Sequence, residues 1–322
     1  MAYGTYDAYL GVAKQSVKGT AVAPTTFIKY RDKDINPVFD SEFYYEAGGG
    51  RKQKYAVKTL SKHDGSLMFL ARPKACGILL HALLGADAVS GVGPYDHVLT
   101  PADTLPWLTV ETGEVKTSSL IIERIADCMF NSAKISGRAG RPVEISMDFM
   151  GIEAAVQATA ASPSYESDDP FVFYQGTFTV DSGATTYITE FDISINNNIP
   201  GDIQTTDFVR DDMLALGLEI TVDFKLKLTD ATQYKAIHYG GATAPVEALD
   251  EGDFTVALAY GAGVAERGLT IAIPKLYYTA AELPRGADPD VMYLSCHGKA
   301  VEGASSIITA TVKNDVATDY DT

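Results

Sequence analysis

The residues of this chain best equipped for chemistry are five histidines, three cysteines and two adjacent pairs of aspartates, and none of them stands at a spacing that chemistry uses. His63, His81, His97, His238 and His297 are scattered, without the H-E-x-x-H or H-x-H arrangement that brings two imidazoles to one metal ion. No G-x-S-x-G elbow presents a serine nucleophile, and no G-x-x-x-x-G-K-[ST] loop cradles a phosphate. Gly48–Lys54 (GGGRKQK) has the glycines and cations of such a loop without its GK[ST] ending, and reads as a surface loop tip. Asp168–Asp169 and Asp211–Asp212 lack the D-x-D-x-D-G pattern of a calcium loop and read as solvated charge. Cys76, Cys128 and Cys296 cannot all pair within one chain, and reduced, buried thiols are expected. With no nucleophile and base to name, an enzyme is the class least supported, and no cofactor or metal is expected.

Composition narrows the remaining classes. Forty-two acidic residues against 26 basic ones give a net charge of -16, and a tight nucleic-acid binder draws its affinity from the opposite balance. No apolar run reaches the roughly 18–20 residues of a membrane helix. Met1–Leu10 (MAYGTYDAYL) has neither the basic start nor the apolar stretch of a secretory signal, so folding in the cytoplasm is expected. A length of 322 residues suggests about two domains of roughly 150 each.

The elements that would have to position any site are mostly strands. Leu218–Leu228 alternates, with Leu218, Ile220, Val222, Phe224, Leu226 and Leu228 on one face and Glu219, Thr221, Asp223, Lys225 and Lys227 on the other. Val143–Met150 opposes Glu144, Ser146 and Asp148 to Val143, Ile145, Met147 and Phe149, and Phe191–Ile195 turns Asp192 and Ser194 outward. The best helix is Pro73–Leu84, opened by a proline tolerated in the first turn and closed by Gly85. A shorter one is expected near Ala231–Tyr239, with Asp230 as N-cap. His81 and His238 fall near the C-terminal ends of these two helices, where packing or the helix dipole explains an imidazole.

The two helices belong to a larger repeat. Asp127–Gly151 aligns without a gap to Pro274–Gly298, placing Phe130 on Tyr277, Ser132 on Thr279, Ala133 on Ala280, Pro142 on Pro289 and Gly151 on Gly298. Upstream, Gly65–Gly85 answers Gly217–Gly241, each a strand leading to a short helix and glycine, and Leu108–Thr112 answers Phe254–Leu258. The fold class expected is therefore mainly β: two repeated β-sandwich, barrel-forming modules, each flanked by one short α-helix. Their bounds are 1–160 and 171–322, with the Ala/Ser/Pro/Asp-rich residues 161–170 as linker. A duplicated β unit is suited to assembling into a closed ring, because joining strands edge to edge removes the exposed edges of a lone sheet.

Several segments together resemble tail tube proteins of long-tailed bacteriophages: Tyr9–Tyr30 (YLGVAKQSVKGTAVAPTTFIKY), the strand and helix ending in LLG, Ser132–Ile152 (SAKISGRAGRPVEISMDFMGI), and FDISINNNI (Phe191–Ile199) ahead of LGLEITVDFKL. The likeness runs from about Tyr9 to Val301, is carried by order and spacing, and involves no catalytic motif. It implies a virion structural protein, synthesised in the host cytoplasm, whose modules join in rings of six around a common barrel. Those rings stack into a hollow tube built around a tape measure protein and ended by tail terminator and distal tail proteins. DNA passes through it as transient cargo, and no membrane is involved. With two modules per chain, three chains per ring are expected, ahead of six chains each giving one barrel module and one decorating module. A carbohydrate-binding or decorating β-sandwich of the virion remains an alternative, although the single Trp107 offers little aromatic surface for sugars. A type VI secretion tube subunit is a more distant one, ordinarily built of one module.

Two sets of site residues follow. Phe39–Asp64 is long for a loop and carries Phe43, Tyr44 and Tyr45, then Arg51, Lys52, Lys54, Lys58 and Lys62. It is expected to form an arm that reaches the neighbouring ring and meets Asp207, Asp211 and Asp212. Glu144, Asp148, Asp192, Glu219 and Asp223, in excess over Lys225 and Lys227, are candidates to face a lumen through which DNA slides without binding.

Overall fold

The computed structural model describes residues 8–48, 50–116, 119–185, 187–201, 208–240, 244–284, 291–304 and 306–321. In chain order the first part holds β1 (Ala8–Lys14), β2 (Thr26–Phe27), β3 (Tyr30–Ile35), β4 (Val38–Tyr44), β5 (Tyr55–Lys62), β6 (Gly65–Leu70), α1 (Pro73–Leu84), β7 (Gly85–Ser90), β8 (Tyr95–Pro101), β9 (Leu108–Lys116), β10 (Ser119–Arg138), β11 (Glu144–Met150) and β12 (Glu153–Val156). The second part holds β13 (Gly176–Val180), β14 (Gly183–Thr185), β15 (Ile188–Asn196), β16 (Glu219–Lys227), α2 (Thr232–Tyr239), β17 (Glu251–Tyr260), β18 (Arg267–Glu282), β19 (Tyr293–Ala300) and β20 (Thr309–Asn314). The protein is mainly β, and the three alternating runs all lie in strands, with their apolar positions in the core.

Both parts are wired alike. In the first, β2–β1–β9 leads to the N-terminal half of β10, whose other edge carries β12, while β3–β6–β11 leads to its C-terminal half. In the second, β14–β13–β17 leads to β18, with β20 on the far edge of its N-terminal half, and β15–β16–β19 leads to its C-terminal half. Irregularities fall at matching places. Arg31 and Thr189 are skipped in the pairing of β3 with β6 and of β15 with β16, and Asn131 and Thr279 in that of β10 with β11 and of β18 with β19. Bulges are positional features of a fold, so they fix which residues correspond. They place Phe130 on Tyr278 and Ala133 on Ala281, one residue later than the gap-free alignment. Burial agrees, since Tyr278 is buried like Phe130 and Tyr277 is not.

The parts are joined at a seam. β10 and β15 pair antiparallel from Ser132 with Asn196 to Arg138 with Glu190, so β3–β6–β11–β10–β15–β16–β19–β18 is one continuous sheet. They also interlock. The β7–β8 hairpin of the first part lies against β20 of the second, and α1 packs on β10 and on β18, β20 and β8. α1 has proline in its first turn and Gly85 in left-handed conformation (φ 107°) at its end, and all its residues but Lys74 are buried. At α2 the N-cap position belongs to Ala231, and Asp230 instead accepts the amide of Thr232 at 2.8 Å.

Two polar clusters hold the remaining chain in place. Glu111, fully buried, accepts the Tyr9 hydroxyl at 2.6 Å and Arg124 at 2.6–2.7 Å; burial, then Glu111, pushes the Tyr9 phenol up to about 12, and its oxygen accepts the Ala161 amide from the segment that joins the parts. At the C-terminus Tyr320 fills the space over Gly77 and lies 4.6 Å from the His97 ring. The Tyr320 amide donates to Asp87, which pairs with His97 at 2.8 Å, and His81 meets Asp321 at 2.7 Å.

Candidate functional site

The continuous eight-stranded sheet has one apolar face, closed into the core, and one polar face. Cross-strand register puts Glu144, Ser136, Asp192, Asp223 and His297 in one row across that polar face, and Asp148, Ser132, Asn196 and Glu219 in the next but one. All five candidate lumen carboxylates therefore share one surface. All five are already engaged there. Asp192 pairs with Lys134 at 3.2 Å, Asp223 with His297 at 2.6 Å, Glu144 with Arg31 and Glu219 with Lys299, while Asp148 accepts the Ser132 hydroxyl at 2.7 Å. Sequence reasoning weighed only Lys225 and Lys227 against the acids. It missed Lys134, Arg138 and Lys299, whose positions in the alternation of β10 and β19 were signal enough once the register was known.

The two ends of this sheet are open. Among the described residues no strand pairs with the outer edge of β3, or with the free edge of β18 beyond Tyr278. Those two edges correspond to the pair that meets inside the chain, β15 and the C-terminal half of β10. An unpaired edge offers a row of N–H and C=O groups to another chain.

The expected arm is a two-stranded hairpin of β4 and β5, paired from Val38 with Lys62 to Tyr44 with Tyr55. Its base is tied to the second part, where the Ser61 amide donates to the Phe208 carbonyl at 2.9 Å. Phe39, Phe43, Tyr44, Tyr45, Tyr55 and Val57 are exposed along it. Its cations are drawn inward: Lys58 lies over Phe39 at 4.3 Å and Phe208 at 5.0 Å, Lys62 is 3.7 Å from Asp40, and Lys54 is 3.9 Å from Glu46. Arg51 and Lys52 are exposed at the tip. Of the three expected acceptors, Asp212 holds Lys18 at 2.7 Å, which keeps its carboxyl below the usual range, the Asp211 carbonyl accepts the same Lys18 at 3.1 Å, and Asp207 lies outside the described residues. The hairpin's accessible chemistry is thus aromatic more than basic.

Sequence reasoning also missed Arg210. Its buried guanidinium grips Asp64 at 2.8 and 3.1 Å and the Gly151 and Gly201 carbonyls at 3.1 and 2.8 Å, binding the loop before β16 to the first part.

Open sheet edges are what a self-assembling structural subunit requires, and the family comparison agrees: the model of the phage tail tube protein family matches residues 5–311. The chain belongs to the phage tail tube protein family. No curated protein matches it. As a tail tube protein it is a structural component of the virion tail and self-associates into a tube, and its mainly-β fold with large antiparallel sheets fits that role.

Proposed function

We propose that this tail tube protein closes into rings of three chains by repeating between chains the seam it already contains. The observation that carries this reading is the β10–β15 pairing, because β18 and β3 are its structural counterparts and both stand open. A neighbour's β18 edge laid against β3, as β10 lies against β15, continues the eight-stranded sheet, and three such chains give a barrel of twenty-four strands with pseudo-sixfold symmetry. On this reading residues 1–160 and 171–322 are the two tube modules and 161–170 their linker.

The rings stack into a hollow tube, with the β4–β5 hairpin reaching the next ring through its exposed aromatic residues. The polar sheet face lines the lumen, which houses the tape measure protein during assembly and passes DNA at infection; terminator and distal tail proteins end the tube, and the chain is made in the host cytoplasm. Negative-stain electron microscopy of the purified protein tests this: rings or tubes with a central hole and threefold or sixfold end views are expected, and a protein that stays monomeric at high concentration, or assembles without a lumen, overturns it.

A further inference from the structure

α1 and α2 hold corresponding places, each following its strand pair and each ending on a glycine in left-handed conformation, Gly85 and Gly240. Their surroundings differ. α1 spans the seam, packing on β10 and β8 of its own part and on β18 and β20 of the other. α2 packs chiefly on β18, where the His238 ring lies 2.8 Å from the Ala281 carbonyl, buries no residue fully, and leaves Thr232 and Lys235 exposed along one face.

The surface that α1 covers on the second part has a counterpart on the first. The shared bulges and registers set Ile121 and Glu123 of β10 on Leu269 and Ile271 of β18, and Val156 of β12 on Ala310 of β20. Leu269, Ile271 and Ala310 are buried at 0–1% exposure, whereas Ile121 is 52% and Val156 77% exposed. Among the described residues there are thus one bridging helix with its seat filled, one helix with a bare face, and one bare seat.

We propose that the bare seat, formed by Ile121, Glu123 and Val156, receives α2 of a neighbouring copy of this chain, which lays its Thr232–Lys235 face there. The inference rests on the ring reading, since a neighbour brings α2 to that place when its β18 edge stands against β3. The side chains fit an interface that must be soluble before it forms. Aligned on their terminal glycines, Lys235 stands where α1 has Leu80, and Glu123 stands where β18 has Ile271. The interface within the chain has an apolar residue on each side; the interface between chains has opposite charges. A permanent contact tolerates the first, while a free chain in solution keeps exposed apolar area small and steers its partner by charge. The segment after α2, with Val246 and Leu249 exposed, would then lie beside the open edge of β12 as β8 lies beside β20.

Thiol protection tests the proposal. Val156→Cys and Lys235→Cys are made separately in the full chain, whose own Cys76, Cys128 and Cys296 are buried. Maleimide labelling is timed on the unassembled chain and on assembled rings. Because thiol reactivity follows exposure, labelling of both positions should slow about tenfold or more on assembly. Rings in which either position labels at the free-chain rate overturn the helix seat and leave the ring reading standing. A wild-type chain that forms no rings at all removes both.

Discussion

Replacing Arg210 should show how firmly the loop before β16 is tied to the first part. The guanidinium is 2% exposed and donates to Asp64 through both terminal nitrogens, to the Gly151 carbonyl and, through Nε, to the Gly201 carbonyl. Arg210→Met keeps much of the volume and removes every donor. A buried acceptor left without a partner costs about 1–3 kcal/mol, and two carbonyls lose theirs here. Asp64 is different, because its side chain is 39% exposed and water replaces part of the pairing. Its share is nearer the ~0–1 kcal/mol of a surface pair than the ~3–5 kcal/mol of a buried one. The total is about 3 kcal/mol, which at about 2–4 °C per kcal/mol lowers the melting temperature by roughly 6–12 °C. Asp64→Asn, which keeps one acceptor, should cost about 1 kcal/mol. In the double variant the Asn change should add almost nothing, since its partner is gone. Thermal unfolding followed by circular dichroism checks all three. An Arg210→Met variant melting within about 2 °C of the parent, or fully additive effects, would refute the reasoning.

Other expectations concern the C-terminal segment around Tyr320 and the arm. Gly77→Val places a Cβ 2.2 Å from the Tyr320 hydroxyl and 2.6 Å from its ring, so the ring must leave its slot, and limited proteolysis should clip residues 315–321 from the variant but not from the parent. Two histidines beneath residues 315–321, His81 of α1 and His97 of β8, give this segment a pH optimum. Burial pulls His97 down, but Asp87 and the Val316 carbonyl outweigh it and hold it above its ordinary value, so its contribution is complete below about pH 6.5 and is lost as pH rises through the folded value. Burial dominates at His81 and, helped by Lys14, holds it below its ordinary value against Asp321 and Asp87, so its contribution is present above about 6.5 and is lost as pH falls. Protection of the Tyr320 amide, corrected for intrinsic exchange, should peak near 6.5; His97→Gln should flatten the alkaline limb and His81→Gln the acid one. In the arm, deleting Gly48–Lys54, or replacing Phe39 and Phe43 with serine, should leave soluble rings that no longer stack, and tube growth at the parent's rate would count against the arm.

Much of the fold was legible because its strands alternate strictly: Glu219–Lys227 and Glu144–Met150 show the period-two pattern that one buried face imposes. α1 was legible from its proline and glycine ends. Phase was harder. Tyr277 and Tyr278 are adjacent and alike, so composition aligns Phe130 with either, and only the bulges at Asn131 and Thr279 decide; in a strand an error of one residue exchanges the two faces. The arm's place was visible from its aromatic and basic residues, but β4 is exposed at every position and leaves no alternation to read. The difference between α1 and α2 was beyond sequence, since a bare face is defined by what fails to cover it.

The polar face shows why register matters to function as well as to fold. Read strand by strand, Glu144, Asp148, Asp192, Glu219 and Asp223 look like an unbalanced acidic lining. Placed in register, Arg31, Lys134, His297 and Lys299 stand on four of them, Ser136 and Ser132 share rows with the acids, and Ser146 and Ser194 stand in the row between. Under the proposed assembly DNA would then pass a wall on which Lys134, Lys225 and Lys299 are each paired with a carboxylate, not one that is only negative. To bind at these lysines a phosphate would have to displace a resident carboxylate, and repulsion from a partly compensated surface is screened at ~0.15 M salt, where fields decay within about 8 Å. The two designs separate experimentally. Replacing Lys134 and Lys299 with glutamine should free no phosphate site, whereas Asp192→Asn with Glu219→Gln should release Lys134 and Lys299 and make assembled tubes retain DNA in a salt-dependent way. Retention unchanged by the second pair, with the tube intact, would show that the carboxylates do not guard those cations.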